Sequence, residues 1–402
     1  MQTKTTLNPS SNYTKREWVL IAITILTITL WTRVIINLSP QIGFVMFLLF
    51  LFPIVLCFKI ENKALLTMGY IIFATVKINY LLTVEPVRNP DSVAYINYYG
   101  MFGYDYSLFF ENFFYDISHN FIFANLFNTF GFLYITFFEV IGDYTPIAMN
   151  VYNTVLTILI IYLIYDIVKN HFPYEMGNKK LFNGLFLSLC LVSPQLIYWS
   201  SIVRKETTIM FFLVLSLWLL LNKRYFLLIL VSAFAFTIRQ YTFVPVILYF
   251  LIFKKMYKTA VFGTIISMVI VFFKSGITGS INTFYTLGIS FFSPNPFRLE
   301  NWSELFYRTT ESVVGLIGMI ACGIVFLTFR KARGFFVISF LCILSYTCVL
   351  ELVSYDAALH YGIDYVVGAA GDDLSRKKFF IVFMVYMMIA YAIAVMSAKI
   401  RK

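Results

Sequence analysis

Asp91, Tyr95, Tyr98 and Tyr99 occur at spacings i, i+4, i+7 and i+8 in the stretch DSVAYINYY. On a helix these positions share one face. A carboxylate above a tyrosine-lined surface suits two tasks. It could act as a general base that takes the proton of an attacking hydroxyl, or it could orient the hydroxyls of a sugar. The plainer reading is that Asp91 caps a helix just after Pro90 while the tyrosines form an interfacial belt. The surrounding segment, 84–120, also carries Glu85, Arg88, Asp105, Glu111, Asp116 and His119.

Three further groups carry polar chemistry. In Ser193-Pro194-Gln195 through Arg204-Lys205-Glu206, the Arg can clamp a phosphate with two parallel bonds, the Lys adds a point charge, and Glu206 can hold either in place. A snorkelling pair with a capping Glu explains the same residues without function. Arg239, followed by Gln240 and Tyr241, lies between two short apolar runs, where a buried Arg needs an anionic partner. Ser293-Pro294-Asn295-Pro296-Phe297-Arg298 is a stiff turn, because each Pro fixes its own φ and restricts the residue before it. Asp372-Asp373 is the sole adjacent acidic pair among these loops, but without other ligands it does not make a metal site. The three histidines have no ligand spacing. No cofactor is expected, with a divalent metal as the alternative.

The elements that must position these groups are membrane helices. Of the 402 residues, 60% are hydrophobic and 13% charged, against about 25% charged in a soluble domain. Such a chain cannot hide its apolar surface from water and is expected to cross a bilayer repeatedly. The net charge of +11 is spread in short clusters between apolar runs. That pattern orients membrane helices and argues against a nucleic-acid-binding domain. The five cysteines all lie in apolar runs, without metal or disulfide spacing, and read as packing residues. No cleavable signal peptide is expected, since the first apolar run is long enough to remain as a span.

Apolar runs give about twelve spans, at 18–36, 42–58, 64–84, 148–168, 182–200, 207–221, 225–238, 241–253, 259–273, 311–329, 335–353 and 379–397. The expected fold is therefore all-α and polytopic, a single transmembrane domain over 1–402. Basic clusters place both termini in the cytoplasm and the chain in the plasma (inner) membrane. Three loops, 85–147, 274–310 and 354–378, then fall on the outer face. Residues 121–144 read as amphipathic helices along that surface, or alternatively as a tight hairpin. Arg204-Lys205 and Arg376-Lys377-Lys378 break the charge rule, so something other than topology must explain them.

The segments RNPDSVAYINYY, SPQLIYWSSIVRKE, TIRQYTFVP and FFSPNPFRLENW, in this order, resemble those of bacterial polytopic glycan-assembly proteins. These are the EpsG/Wzy-like repeat-unit polymerases and the related GT-C-type glycosyltransferases. The resemblance implies a GT-C-like fold and a polyprenyl-phosphate-linked sugar as donor at the outer face, in capsule, exopolysaccharide or O-antigen synthesis. It implies that Asp91 is the base or the acceptor-orienting residue and that Arg204, Lys205 and Arg239 bind the donor phosphate. Arg88, Tyr95, Tyr98, Glu206, Tyr241, Arg298 and Arg376 join them as candidate substrate contacts. The implied partners are the lipid-linked saccharide, the bilayer and other glycan-assembly proteins. The chain lacks a second carboxylate motif beside Asp91, which sets it apart from metal-dependent oligosaccharyl transfer. A transporter or flippase of lipid-linked glycans is the alternative in a different class, and a non-catalytic assembly partner is a third. If Asp91 is the base, Asp91→Ala inserts normally and loses about 10²–10⁴-fold of product formation, measured as polymer per unit of membrane-inserted protein.

Overall fold

The computed structural model describes residues 63–83, 145–239, 242–304, 306–368 and 378–400, with isolated positions between 18 and 140. The described elements are helices: α1 Lys63–Thr83, α2 Pro146–His171, α3 Lys179–Leu191, α4 Pro194–Trp199, α5 Glu206–Leu221, α6 Tyr225–Ile238, α7 Phe243–Phe253, α8 Tyr257–Phe292, α9 Leu299–Glu304, α10 Phe306–Thr328, α11 Arg333–Tyr361 and α12 Val382–Ile400. Six described segments are long and apolar enough to cross a membrane: Pro146–His171, Lys179–Trp199, Tyr257–Phe292, Tyr307–Thr328, Arg330–His360 and Lys378–Ala398. Of 121–144, only isolated positions are described, so neither reading of that segment is addressed.

Local sequence explains where the helices start. Thr145 caps α2 by accepting from Ala148 N, with Pro146 in the first turn. Asn178 caps α3 through Leu181 N. Pro194 cannot continue α3 because it lacks an N–H. A new short helix begins there instead, capped by Ser193. The continuous apolar run expected at 182–200 is thus two helices joined at a break.

α12 is the central helix. It is buried along most of its length and packs on α3, α10 and α11. Around it, α5 packs on α2, α6 and α7, while α1 lies against α3. α8 is peripheral. It packs along α11 and presents Phe262, Ile265, Val269, Phe273, Ile277 and Phe284 outward. An apolar outer face of this kind suits contact with lipid. The described cysteines, Cys190, Cys322, Cys342 and Cys348, are buried free thiols, in keeping with a packing role.

Two helices run further than the apolar pattern suggests. Beyond residue 273, α8 bends at Gly276, whose φ of 67° and ψ of −156° suit glycine, and then continues to Phe292. The polar residues that give this part a loop-like composition turn their hydroxyls back onto the helix. Ser280 donates to Gly276 O, Thr283 to Gly279 O and Ser290 to Thr286 O. Among the described residues of 274–310, the backbone that lies outside helices is the turn from Ser293 to Arg298. α11 likewise passes residue 353 and ends at Tyr361, where Gly362 takes the left-handed conformation.

α10 and α12 approach closely at Gly318. A Cβ there would lie 2.4 Å from Ile389 Cγ1. Gly318→Val should therefore destabilise the protein by about 1–3 kcal/mol, with part of the loss recovered by adding Ile389→Ala. Thermal unfolding of the detergent-solubilised protein checks this.

Candidate functional site

The site is built around the break between α4 and α5. α4 ends at Trp199, and Ser200 to Lys205 follow without regular helix before α5 starts at Glu206. Every residue of this connection is buried, including Arg204 and Lys205 at 7% and 5% exposure. Irregular backbone away from water needs its polar groups satisfied by other parts of the protein. Side chains from several elements do this. Asn153 of α2 donates to Ile202 O at 3.0 Å, and Ser92 donates to Val203 O at 2.9 Å. Thr207 donates to Trp199 O at 3.2 Å. Ser200 and Ser201 donate to Ile197 O, and Lys77 of α1 donates to both of their hydroxyls at 2.9 and 2.8 Å. Lys77 thus ties α1 to the C-terminal end of α4.

The basic side chains gather on the aromatic residues of α4. The Arg204 guanidinium lies 5.5 Å from the Trp199 ring centre. Arg308, from α10, lies 4.4 Å from the Tyr198 ring and 5.7 Å from Trp199. Ring faces attract cations strongly when water is excluded. Trp199 is itself fixed by donating Nε1–H to Gln195 Oε1 at 2.7 Å. Arg239, at the end of α6, lies 3.7 Å from Glu206 in the first turn of α5 and 5.9 Å from the Phe380 ring.

A second half of the cluster comes from α10 and the start of the C-terminal helix. Glu311 lies 3.5 Å from the Lys378 ammonium, and both are 7% exposed. Lys378 also donates to Ser293 O. Tyr386 donates to Glu311 Oε1 at 2.6 Å and lies 2.7 Å from Ser193 Oγ, the cap of α4. Tyr307 ties α10 to the same break by donating to Val192 O at 2.6 Å. A small cavity of about 20 Å³ lies among Ser290, Glu311, Gly315, Lys378 and Tyr386, about the size of one water.

Among the described residues, the cluster holds the basic side chains of Lys77, Arg204, Lys205, Arg239, Arg308 and Lys378, and the acidic ones of Glu206 and Glu311. Arginine forks and ammonium groups held in a buried, aromatic-lined interior suit a ligand with several negative oxygens, such as a phosphate or diphosphate. No group of three or more His, Cys, Asp or Glu side chains that could hold a metal occurs among the described residues.

The structure brings together Arg204, Lys205, Glu206 and Arg239 from the expected site residues. It buries Arg204 and Lys205, so they do not reach for an aqueous surface as a snorkelling pair would. Arg239 finds its carboxylate in Glu206. Arg298 is exposed, on the turn that follows α8. Asn295 Oδ1 accepts from Phe297 N at 2.9 Å, and Trp302 donates to Pro296 O at 2.8 Å. Arg88, Asp91, Tyr95, Tyr98, Tyr241 and Arg376 lie outside the described residues. The residue after Asp91 is nevertheless placed: Ser92 is buried against Val203 O, one residue before Arg204.

Sequence reasoning did not single out Lys77, Arg308, Glu311, Lys378 or Tyr386 as site residues. Lys77 did carry a signal, as the lone charge inside the apolar run 64–84. Lys378 belongs to the basic triplet that broke the charge rule.

Among the described residues, fold and site together define a helical protein in which helices long and apolar enough to cross a membrane surround a buried basic cluster. No protein-family model matches the chain, and no curated protein or solved structure is significantly similar to it.

Removing one member of a buried ion pair strands the other, at a cost of about 3–5 kcal/mol. Glu311→Leu should lower the unfolding temperature sharply, and adding Lys378→Met should restore part of it. The four corners of this double-mutant cycle, measured by thermal unfolding in detergent, give the coupling.

Proposed function

We propose that the chain is a membrane glycosyltransferase or polysaccharide repeat-unit polymerase that uses a polyprenyl-phosphate-linked sugar. The observation that carries this reading is the convergence of Arg204, Arg239, Arg308 and Lys378 from separate elements at the buried α4–α5 break. The docking of Ser92 beside that break supports it, because Ser92 follows the acid expected to act on the acceptor. The reading includes about twelve spans in a GT-C-like arrangement and an inner-membrane location with both termini cytoplasmic.

In this mechanism an acceptor hydroxyl attacks the anomeric carbon of the donor sugar. The new bond joins the acceptor oxygen to that carbon, and the bond from the carbon to the phosphate oxygen breaks. The hydroxyl proton passes to the Asp91 carboxylate. Negative charge grows on the departing phosphate, and the basic cluster stabilises it there. The cluster is already ordered by its own contacts, so little reorganisation is needed as the charge develops. Low polarity around the site strengthens each of these interactions. Tyr95, Tyr98 and Arg88 would contact the sugars from the first loop.

The test uses the native host. The gene is deleted and complemented with wild type, Arg308→Ala or Arg239→Ala. The expected result, measured per unit of membrane-inserted protein, is loss of surface polymer and accumulation of lipid-linked precursor facing outward. Losing an electrostatic contact of this kind costs on the order of 10²–10³-fold in turnover. Precursor trapped on the inner face would point to transport instead, and unchanged polymer in the deletion strain would overturn the glycan reading.

A further inference from the structure

We infer that residues 277–292, the second half of α8, form an arm that hinges at Gly276 and is latched in its bent pose by the chain that follows α11. Holding the arm bent keeps the carbonyl of Ser293 on the Lys378 ammonium, whatever ligand the basic cluster takes.

The first half of α8 is fixed to α11 at three levels. Thr264 Oγ1 lies 2.8 Å from Ser345 Oγ, Met268 Sδ lies 3.3 Å from Cys348 Sγ, and Lys274 Nζ donates to Asp356 at 2.7 Å. All three contacts precede the bend, so the first half keeps its place without help from the second. At Gly276 the backbone leaves helical geometry, with φ of 67° and ψ of −156°. A residue with a side chain is strained in that conformation and prefers the φ of about −63° of a straight helix. A Cβ built at Gly276 meets nothing within 4 Å, so the bend itself, and not crowding, calls for glycine.

Beyond the hinge, two sets of contacts hold the arm. Near its base, the fully buried Asn282 donates Nδ2–H to Val366 O at 3.1 Å and accepts from Gly368 N at 2.8 Å. The same stretch of chain is pinned to α11 by Tyr365, the one residue of 362–368 that is not exposed. Its hydroxyl donates to the fully buried Glu351, and its ring centre lies 4.9 Å from that of Tyr355. At its far end the arm meets the cluster. Lys378 donates to Ser293 O, and Ser290 and Phe291 line the cavity beside Glu311. Phe291 O sits against Gly315, where a Cβ would lie 2.8 Å from it.

The latch favours one position of the arm because the Asn282 amide is buried. Moving the arm away from Val366 and Gly368 strips that amide of both bonds, which is costly in an apolar interior. From 277 to 292 the arm is about 24 Å long, so a turn of about 20° at Gly276 carries its end about 8 Å. Lys378 then keeps Glu311 but loses Ser293. The latch thus sets the surroundings of one of the four cations on which the proposed reaction relies.

Electron–electron resonance distances test this on the full-length protein in nanodiscs, with its natural cysteines replaced by alanine. Spin labels at Phe284→Cys and Phe340→Cys report the arm against α11. Labels at Phe226→Cys and Phe340→Cys report α6 against α11 as a control. All three positions are exposed. The arm pair should give one narrow distance distribution in the otherwise wild-type protein. Asn282→Ala and Tyr365→Phe, which open the latch, and Gly276→Ala, which disfavours the bend, should each add the same second distance. The ratio of bent to released arm should fall about tenfold in each variant, with the control pair unchanged. A single unchanged arm distance in all three variants overturns the hinge and latch. A control distance that changes together with the arm distance shows general loosening and overturns it too. Because the experiment reads distances and not turnover, its failure leaves the glycan reading standing.

Discussion

Satisfying polar groups inside an apolar interior is the constraint on which the rest of this structure depends. The chain stops being helical between Trp199 and Glu206, yet this connection is fully buried. Its carbonyls and cations cannot turn to water. Ser92, Asn153, Thr207 and Lys77 meet the break from different parts of the sequence. Each of these contacts also fixes a relative position. α1, α2, Ser92 and α5 are held at one point because the same small stretch of backbone needs all of them.

The cations extend that logic from construction to chemistry. Arg204 and Arg308 lie near Trp199, Arg239 near Glu206, and Lys378 near Glu311. Burying so much positive charge is costly unless partners are close at hand. A stability-only design would favour apolar residues at such positions. Retaining the charges is understandable if they act on an anion, and a phosphate leaving group is the anion that the proposed reaction generates at this point. The ordering of the cluster by aromatic and carboxylate contacts would keep it ready before the charge appears.

Much of the helical architecture was legible in the sequence, because long apolar runs leave few alternatives to membrane helices. The candidate site was legible where charge stood out against its background. Arg239 sits between apolar runs, and Arg204-Lys205 and Lys378 sit where orientation alone would not put them. Glu206 was tied to its neighbours by simple proximity. The rest depended on distances that sequence does not contain. Nothing in the pattern shows that Arg308 reaches Tyr198 or that Tyr386 joins Glu311 to Ser193. The polar half of α8 was obscured for a different reason. Its hydroxyls bond back to their own helix, so a composition suited to a loop is accommodated in helical backbone. The break at Ser193 was present in the sequence as Ser-Pro, but the hydrophobicity around it masked the interruption.

The account stands or falls on whether the basic cluster binds phosphate. A ligand at free concentration L that binds the folded state stabilises it by RT ln(1 + L/Kd), so the unfolding temperature keeps rising with ligand concentration. The most direct measurement is thermal unfolding of the purified full-length protein with increasing inorganic pyrophosphate, at constant ionic strength, for wild type and an Arg308→Gln/Lys378→Met double variant. The account predicts a rise in unfolding temperature for wild type that grows with the logarithm of pyrophosphate concentration and disappears in the double variant. A rise of the same size in both proteins, or none in wild type, would contradict it.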